Sequence, residues 1–136
     1  MPPPPPPTAY LTRVVEFTAT HRFPDLPEFS GATDDHSHRY RCSVTVKGAF
    51  DPTRGGVMSL PALKALLQRE VVARFDGRHI NKDVASFAAG TWVATGEAVA
   101  LYVWERIVGE LPAGVTLECV RIEESPNHYS EYRGES

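Results

Sequence analysis

Three histidines in the stretch from Phe17 to Tyr40 (FTATHRFPDLPEFSGATDDHSHRY) are of the type and spacing that could hold one metal ion. His36 and His38 are two residues apart, so in a strand their side chains point to the same face. His21 closes another apolar, β-branched run (Val14, Val15, Phe17), and a hairpin folding that run back would bring a third imidazole alongside. Three neutral nitrogen ligands with a fourth position open is the arrangement of a catalytic Zn²⁺. The competing reading is of solvated histidines beside a loop. What favours the metal is the concentration of three of the chain's five histidines in this one stretch, with HxH on a strand pattern.

The elements that must position these residues follow from the apolar periods. Ala9 to Thr20 alternates as a half-buried strand leading to His21. Arg22 to Asp35, with two prolines and Gly31, reads as a loop of the kind that carries function. His36 to Phe50 alternates again, with Tyr40, Cys42, Val44 and Val46 on the parity of the two histidines, so the metal ligands should continue the apolar face. DPTRGG (Asp51 to Gly56) is turn chemistry, after which Ser59 can cap a helix with Pro61 in its first turn. Leu60, Leu63, Leu66, Leu67, Val71 and Phe75 repeat at helical spacing, and the helix should end near Asp76 and Gly77. A second helical period runs from Thr95 to Leu111 (Val99, Leu101, Val103, Ile107, Leu111). Val115 to Ile122 reads as a third strand and Tyr129 to Tyr132 as a short fourth. The order is β, β, α, α, β, β, an α+β layout with helices on one face of an antiparallel sheet.

Bulk properties narrow the partners. At 136 residues, 42% hydrophobic and 23% charged, the chain suits one domain with a proper core. Net charge is −3, with no basic run, which argues against nucleic acid or an anionic membrane as main partner. The N-terminus lacks the order of a signal peptide and no apolar stretch is long enough for a membrane span, so a cytoplasmic protein is expected. Cys42 and Cys119 sit in strand-like runs and read as free thiols. Residues 1–8, with six consecutive prolines, read as a disordered leader, and residues 9–136 as the folded domain.

Taken together, the motifs resemble the 6-pyruvoyl-tetrahydropterin synthase and 6-carboxy-tetrahydropterin synthase family. FTATHRF is similar to the family's FSASHRL, HSHRY to HGHNY, GVMSLPALK to GMVMNLADLK and FDGRHINKDV to LDHKNLDKDV. TGEAVALYVWERI resembles TENVAVYIW, and EESPNHYSEYRGE the closing ET…YKGE. The resemblance implies a T-fold, a four-stranded antiparallel sheet carrying two helices on one face, with protomers joining edge to edge into a trimer and trimers stacking into a homohexamer. It implies Zn²⁺ on His21, His36 and His38, and a pterin-type substrate anchored by Glu124. A carboxylate can accept two charge-assisted hydrogen bonds from the guanidine-like edge of a pterin. Thr95 and Glu97 match the family's TxE at a helix start and are candidate substrate contacts; a capping Thr followed by an acid near the helix N-terminus explains them equally well.

The departures concern the proton carriers. Family chemistry removes triphosphate from 7,8-dihydroneopterin triphosphate and moves protons along the side chain, using a Cys and an Asp–His pair. The positions that correspond to the Cys hold Ser30 and Ala32, and a serine hydroxyl does not replace a thiolate without its own base. Asp76 is present, but Gly77 stands where the His belongs. A related variant uses a Glu in place of the Cys; no Glu is there, and Asp34 is the nearest acid. The expected reading is a zinc-dependent lyase with altered chemistry, with His79, Asp76, Asp34 and Asp35 as candidate catalytic groups. The alternative is a pterin- or heterocycle-binding or structural T-fold protein without turnover.

Overall fold

A long antiparallel pair sets up the sheet. Strand β1 (Thr8–His21) runs against β2 (His36–Ala49) in unbroken register from Thr8↔Ala49 to His21↔His36. Both strands are rich in β-branched and aromatic residues that suit a pleated, half-buried surface. The computed structural model describes all 136 residues. Strand β4 (Val115–Ser125) pairs with β2, and β5 (His128–Tyr132) closes the antiparallel part by a tight hairpin onto β4.

The sheet differs from the expected four antiparallel strands. A two-residue strand β3 (Arg78–His79) adds to β1 in parallel, giving five strands in the order β3-β1-β2-β4-β5. The cause is local. Gly77, with φ of 71°, turns the chain so that its N–H reaches the Thr18 carbonyl at 2.8 Å. Asp76 Oδ1 accepts from the Thr18 N–H at 2.9 Å. Those two bonds hold the next residues against the edge of β1, where Ala19 faces Arg78 and Thr20 faces His79.

Helix α1 (Leu60–Leu67) starts at Ser59, whose Oγ accepts from the Ala62 N–H at 3.2 Å. It continues through a π-helical turn (Gln68–Val72) into α2 (Ala73–Phe75), so one rod carries Leu63, Leu66, Leu67, Val71 and Phe75 into the core. Leu60, counted with that face from its spacing, is 53% exposed because it lies in the first turn, ahead of the covered surface. Single turns α3 (Ile80–Asp83) and α4 (Ala85–Ala88) lead to α5 (Gly96–Ile107). Leu111 falls beyond α5 but still packs against the core.

The core lies between these helices and one face of the sheet. Phe17 stacks between Tyr40 and Phe75, with ring centroids 5.0 Å apart in both pairs. Each such fully buried side chain contributes about 1.5–3 kcal/mol. On β2 the even positions Tyr40, Cys42, Val44 and Val46 are wholly buried, and His36 and His38 continue that face, as their parity requires. The opposite face of the sheet is polar: Arg41 bridges Glu16 at 3.1 Å and Glu123 at 3.2 Å. Residues 1–7 are exposed and without regular structure, although the Pro7 carbonyl accepts from the Phe50 N–H. No helix is long and apolar enough to cross a membrane.

Candidate metal centre and its surroundings

The register of β1 against β2 builds the site. His21 is the direct partner of His36, and Ala19 of His38, so the three imidazoles meet on the core side at the end of the hairpin. One ring nitrogen from each lies within 4.8 Å of the other two. The rings stand edge to face, with centroids 4.4 Å (His21–His36), 5.0 Å (His21–His38) and 5.1 Å (His36–His38) apart.

Backbone carbonyls orient two of the rings. His21 Nδ1 donates to the Ala94 carbonyl at 2.8 Å, and His36 Nδ1 to the Asp34 carbonyl at 2.8 Å. With Nδ1 holding the proton, Nε2 carries the lone pair, which is the arrangement of metal-ligating histidines with carbonyl partners. His21 Nε2 is buried and has no hydrogen-bond partner. An orphaned buried acceptor among three imidazoles is costly unless a cation takes it, so these residues fit Zn²⁺. Burial, opposed by the Ala94 hydrogen bond and helped by repulsion from His36, His38 and His79, lowers the His21 pKa to about 4. Burial also lowers that of His38, against the pull of Glu124. Both shifts favour the neutral ring that ligates.

The second pole of the site forms at the N-terminus of α5. Thr95 caps this helix, accepting from the Ala98 N–H at 3.2 Å, so its hydroxyl has a structural duty. Glu97 Oε1 accepts from Ser130 Oγ at 3.2 Å. Glu124 sits where the β4–β5 register slips, between Glu123↔Tyr129 and Ser125↔His128. Such an irregularity re-aims a side chain. Here it turns Glu124 towards the start of α5: a Cβ on Gly96 would stand 2.9 Å from both Glu124 Oε1 and Ser130 Oγ. Glu124 is near enough to His38 and Tyr40 for its charge to act on both.

Of the expected proton carriers, two come together. His79 Nε2 lies 3.0 Å from Asp35 Oδ1, and its side chain is only 14% exposed. The His79 hydrogen bond holds the Asp35 carboxyl below the usual carboxylate range, so Asp35 accepts and Nε2 donates. His79 Nδ1 is then the basic nitrogen, and it is buried without a partner. Asp34 reaches the site through its carbonyl on His36. Asp76 is not with them; its carboxylate is taken by the Thr18 N–H on the edge of β1. Cys42 is wholly buried, and burial pushes its thiol up to about 12, which removes it as a thiolate.

Several contributors were not singled out in the sequence. The Tyr40 hydroxyl is 3.3 Å from His21 Nδ1. Arg22 and Asn81 staple the loop, with the Arg22 N–H donating to Asn81 Oδ1 at 2.9 Å and Asn81 Nδ2 to the Arg22 carbonyl at 3.0 Å. Gly96 and Ser130 make room for and adjoin the two carboxylates. A glycine in the first turn of a helix, where it weakens the helix, was the one available signal.

Comparison with known proteins places this geometry. A family model described as 6-pyruvoyl tetrahydropterin synthase matches residues 10–135. The 6-pyruvoyl tetrahydrobiopterin synthase of Poecilia reticulata is 36% identical over 93% of this chain and 90% of its own length. The Homo sapiens protein of the same name is 33% identical over 93% of this chain and 92% of its own. The solved Caenorhabditis elegans 6-pyruvoyl tetrahydropterin synthase superposes with a TM-score of 0.86 at 31% identity, covering 96% of this chain and 99% of that one. The α+β architecture is thus the T-fold, here with the short parallel β3 at its edge. On the family match across nearly the whole chain and the histidine cluster that the hairpin assembles, this chain belongs to the 6-pyruvoyl tetrahydropterin synthase family.

Proposed function

We propose that this protein is a zinc-dependent lyase of the 6-pyruvoyl-tetrahydropterin synthase type, eliminating triphosphate from a dihydroneopterin triphosphate-type substrate with proton carriers of its own. The observation that carries the reading is the His79–Asp35 pair, which stands beside the histidine cluster on a chain whose family Cys and His positions are empty of both. Bound by His21, His36 and His38, Zn²⁺ supplies Lewis-acid polarisation of the substrate's side-chain oxygens.

Glu124 accepts two N–H groups of the pterin edge, with the N-terminus of α5 favouring its negative charge. Thr95 fixes the start of that helix and Glu97 lines the same edge. Asp35 holds His79 Nε2–H, leaving Nδ1 to take a proton from a side-chain carbon once the groups that cover it move aside, since Nδ1 has no exposed surface here. The C–H electron pair becomes the new double bond, and the C–O bond to triphosphate breaks with its electrons on the leaving oxygen. The Arg22–Asn81 staple keeps the loop bearing Asp35 against α3, so the pair stays assembled. Asp34 serves through its carbonyl, by orienting His36. Asp76 is assigned to the edge of β1 and not to the proton path. The working form in this reading is a cytoplasmic homo-oligomer, a trimer or hexamer.

The test is to incubate zinc-loaded protein with 7,8-dihydroneopterin triphosphate and follow triphosphate release and product mass together. Release is expected, with His79→Asn lowering kcat by about 10²–10⁴-fold at unchanged metal content, the usual range for a positioned base. A protein that binds the pterin but releases no triphosphate would replace the lyase reading with binding alone.

A further inference from the structure

Two carboxylates, Glu97 and Glu124, and one hydroxyl, Ser130, gather around the buried Gly96 at the start of α5. Their geometry is specific. Ser130 stands opposite Ile122 on β5, so it shares the core-facing side of the sheet with Glu124. Its Oγ lies 2.9 Å from the position of a Cβ on Gly96, as does Glu124 Oε1, so both oxygens border the same small space that only a glycine leaves open. The hydroxyl has one proton, and it is directed to Glu97 Oε1 at 3.2 Å. That leaves the Ser130 lone pairs free beside Glu124. The side chains at the rim are therefore all acceptors: two carboxylates and a hydroxyl whose donor is already spent.

We propose that Ser130 is a specificity-determining residue that makes this rim demand a 2-amino-4-oxopyrimidine edge. This rests on the reading of Glu124 as the heterocycle anchor and extends it. A bidentate carboxylate uses the ring N–H and one N–H of the exocyclic amine. The second N–H of that amine needs its own acceptor, and Ser130 Oγ is the neighbouring one. A ring with oxygen in place of the amine presents an acceptor to acceptors, leaving buried polar atoms unpaired, and a site built on hydrogen bonds rejects such analogues strongly. Ser130 also holds Glu97 in place, so both carboxylates stay turned to one edge.

The experiment compares pterin with lumazine, its 2-oxo counterpart, by fluorescence titration of the zinc-loaded wild-type protein, Ser130→Ala, Ser130→Cys and Ser130→Thr. The wild type should bind pterin and discriminate against lumazine. Ser130→Ala should lose about tenfold of that preference, as expected for one lost hydrogen bond to the ligand. Ser130→Cys, near-isosteric with a poor acceptor, should show the same fall and decides the matter if Ser130→Ala does not fold. Ser130→Thr, which keeps the hydroxyl, should keep the preference. Pterin binding with an unaltered ratio in Ser130→Cys would overturn the role of Ser130 alone. A wild type that binds neither heterocycle would overturn both this role and the anchoring by Glu124.

Discussion

His21 Nδ1 lies 2.8 Å from the carbonyl of Ala94, the residue just before the cap of α5. This single bond joins the two poles of the site. It fixes the tautomer of a histidine of the candidate metal cluster on β1, and it ties that ring to the helix start where Gly96, Glu97 and Glu124 meet. The histidine cluster and the carboxylates at the start of α5 are therefore held at one spacing by backbone geometry.

The three histidines should respond unequally to removal. His36→Ala and His38→Ala should abolish zinc binding, read by metal analysis, and leave the fold intact, because the core lies between helices and sheet. His21 is wholly buried and bonded to Ala94, so His21→Ala should cost about 2 kcal/mol of stability besides losing the metal. An unfolded His38→Ala would mean that the metal is structural.

Gly96→Ala separates binding from folding. The added methyl gains helix propensity of up to about 1 kcal/mol, which offsets part of the cost of the contacts it makes, so thermal stability should change by no more than about 1 kcal/mol. It also meets Glu124 Oε1 and Ser130 Oγ at 2.9 Å and must push both aside. Affinity for a pterin should fall about as far as in Glu124→Gln, roughly tenfold or more for a lost charged hydrogen bond. Wild-type affinity in either variant would remove this helix start from the binding site.

Asp76 is expected to matter for stability alone. Asp76→Ala leaves the Thr18 N–H without its acceptor and loosens β3, at a cost of about 1–2 kcal/mol in denaturant unfolding. Its kcat should stay within a few-fold of wild type. A drop of kcat comparable to that of His79→Asn would return Asp76 to the proton path.

The sheet has two open edges: β3 covers only the Ala19–Thr20 end of β1, and nothing pairs with the outer side of β5. Open edges of this length invite strand pairing with further copies. Light scattering should give a mass several times 15.0 kDa at micromolar concentration. A monomer there would count against the trimer or hexamer.

Much of the site was legible because short periods encode it. The two-residue spacing of His36 and His38, on the parity of Tyr40 to Val46, placed them on the buried face before any fold was known, and the hairpin delivered His21 opposite His36. The helices were legible to within a turn, since Ser59 and Thr95 are caps with a local mechanism. Glu124 came from family likeness, and its aim came from a slip in register that no pattern announces. The proton carriers were the weakest part. His79, Asp35, Asp34 and Asp76 were all candidates along the chain, and only packing paired the first two and set the last against the edge of β1.

By itself, the sequence determined an α+β chain with a buried histidine face and three histidines at metal-ligand spacing, because alternation, caps and ligand spacing act over a few residues. The tertiary structure alone decided that β3 adds in parallel, that His79 meets Asp35 and that Ser130 and Glu124 border the space left by Gly96. Those contacts join residues distant along the chain through side-chain reach and backbone turns. Their free energy depends on where whole elements dock, and no local period records it.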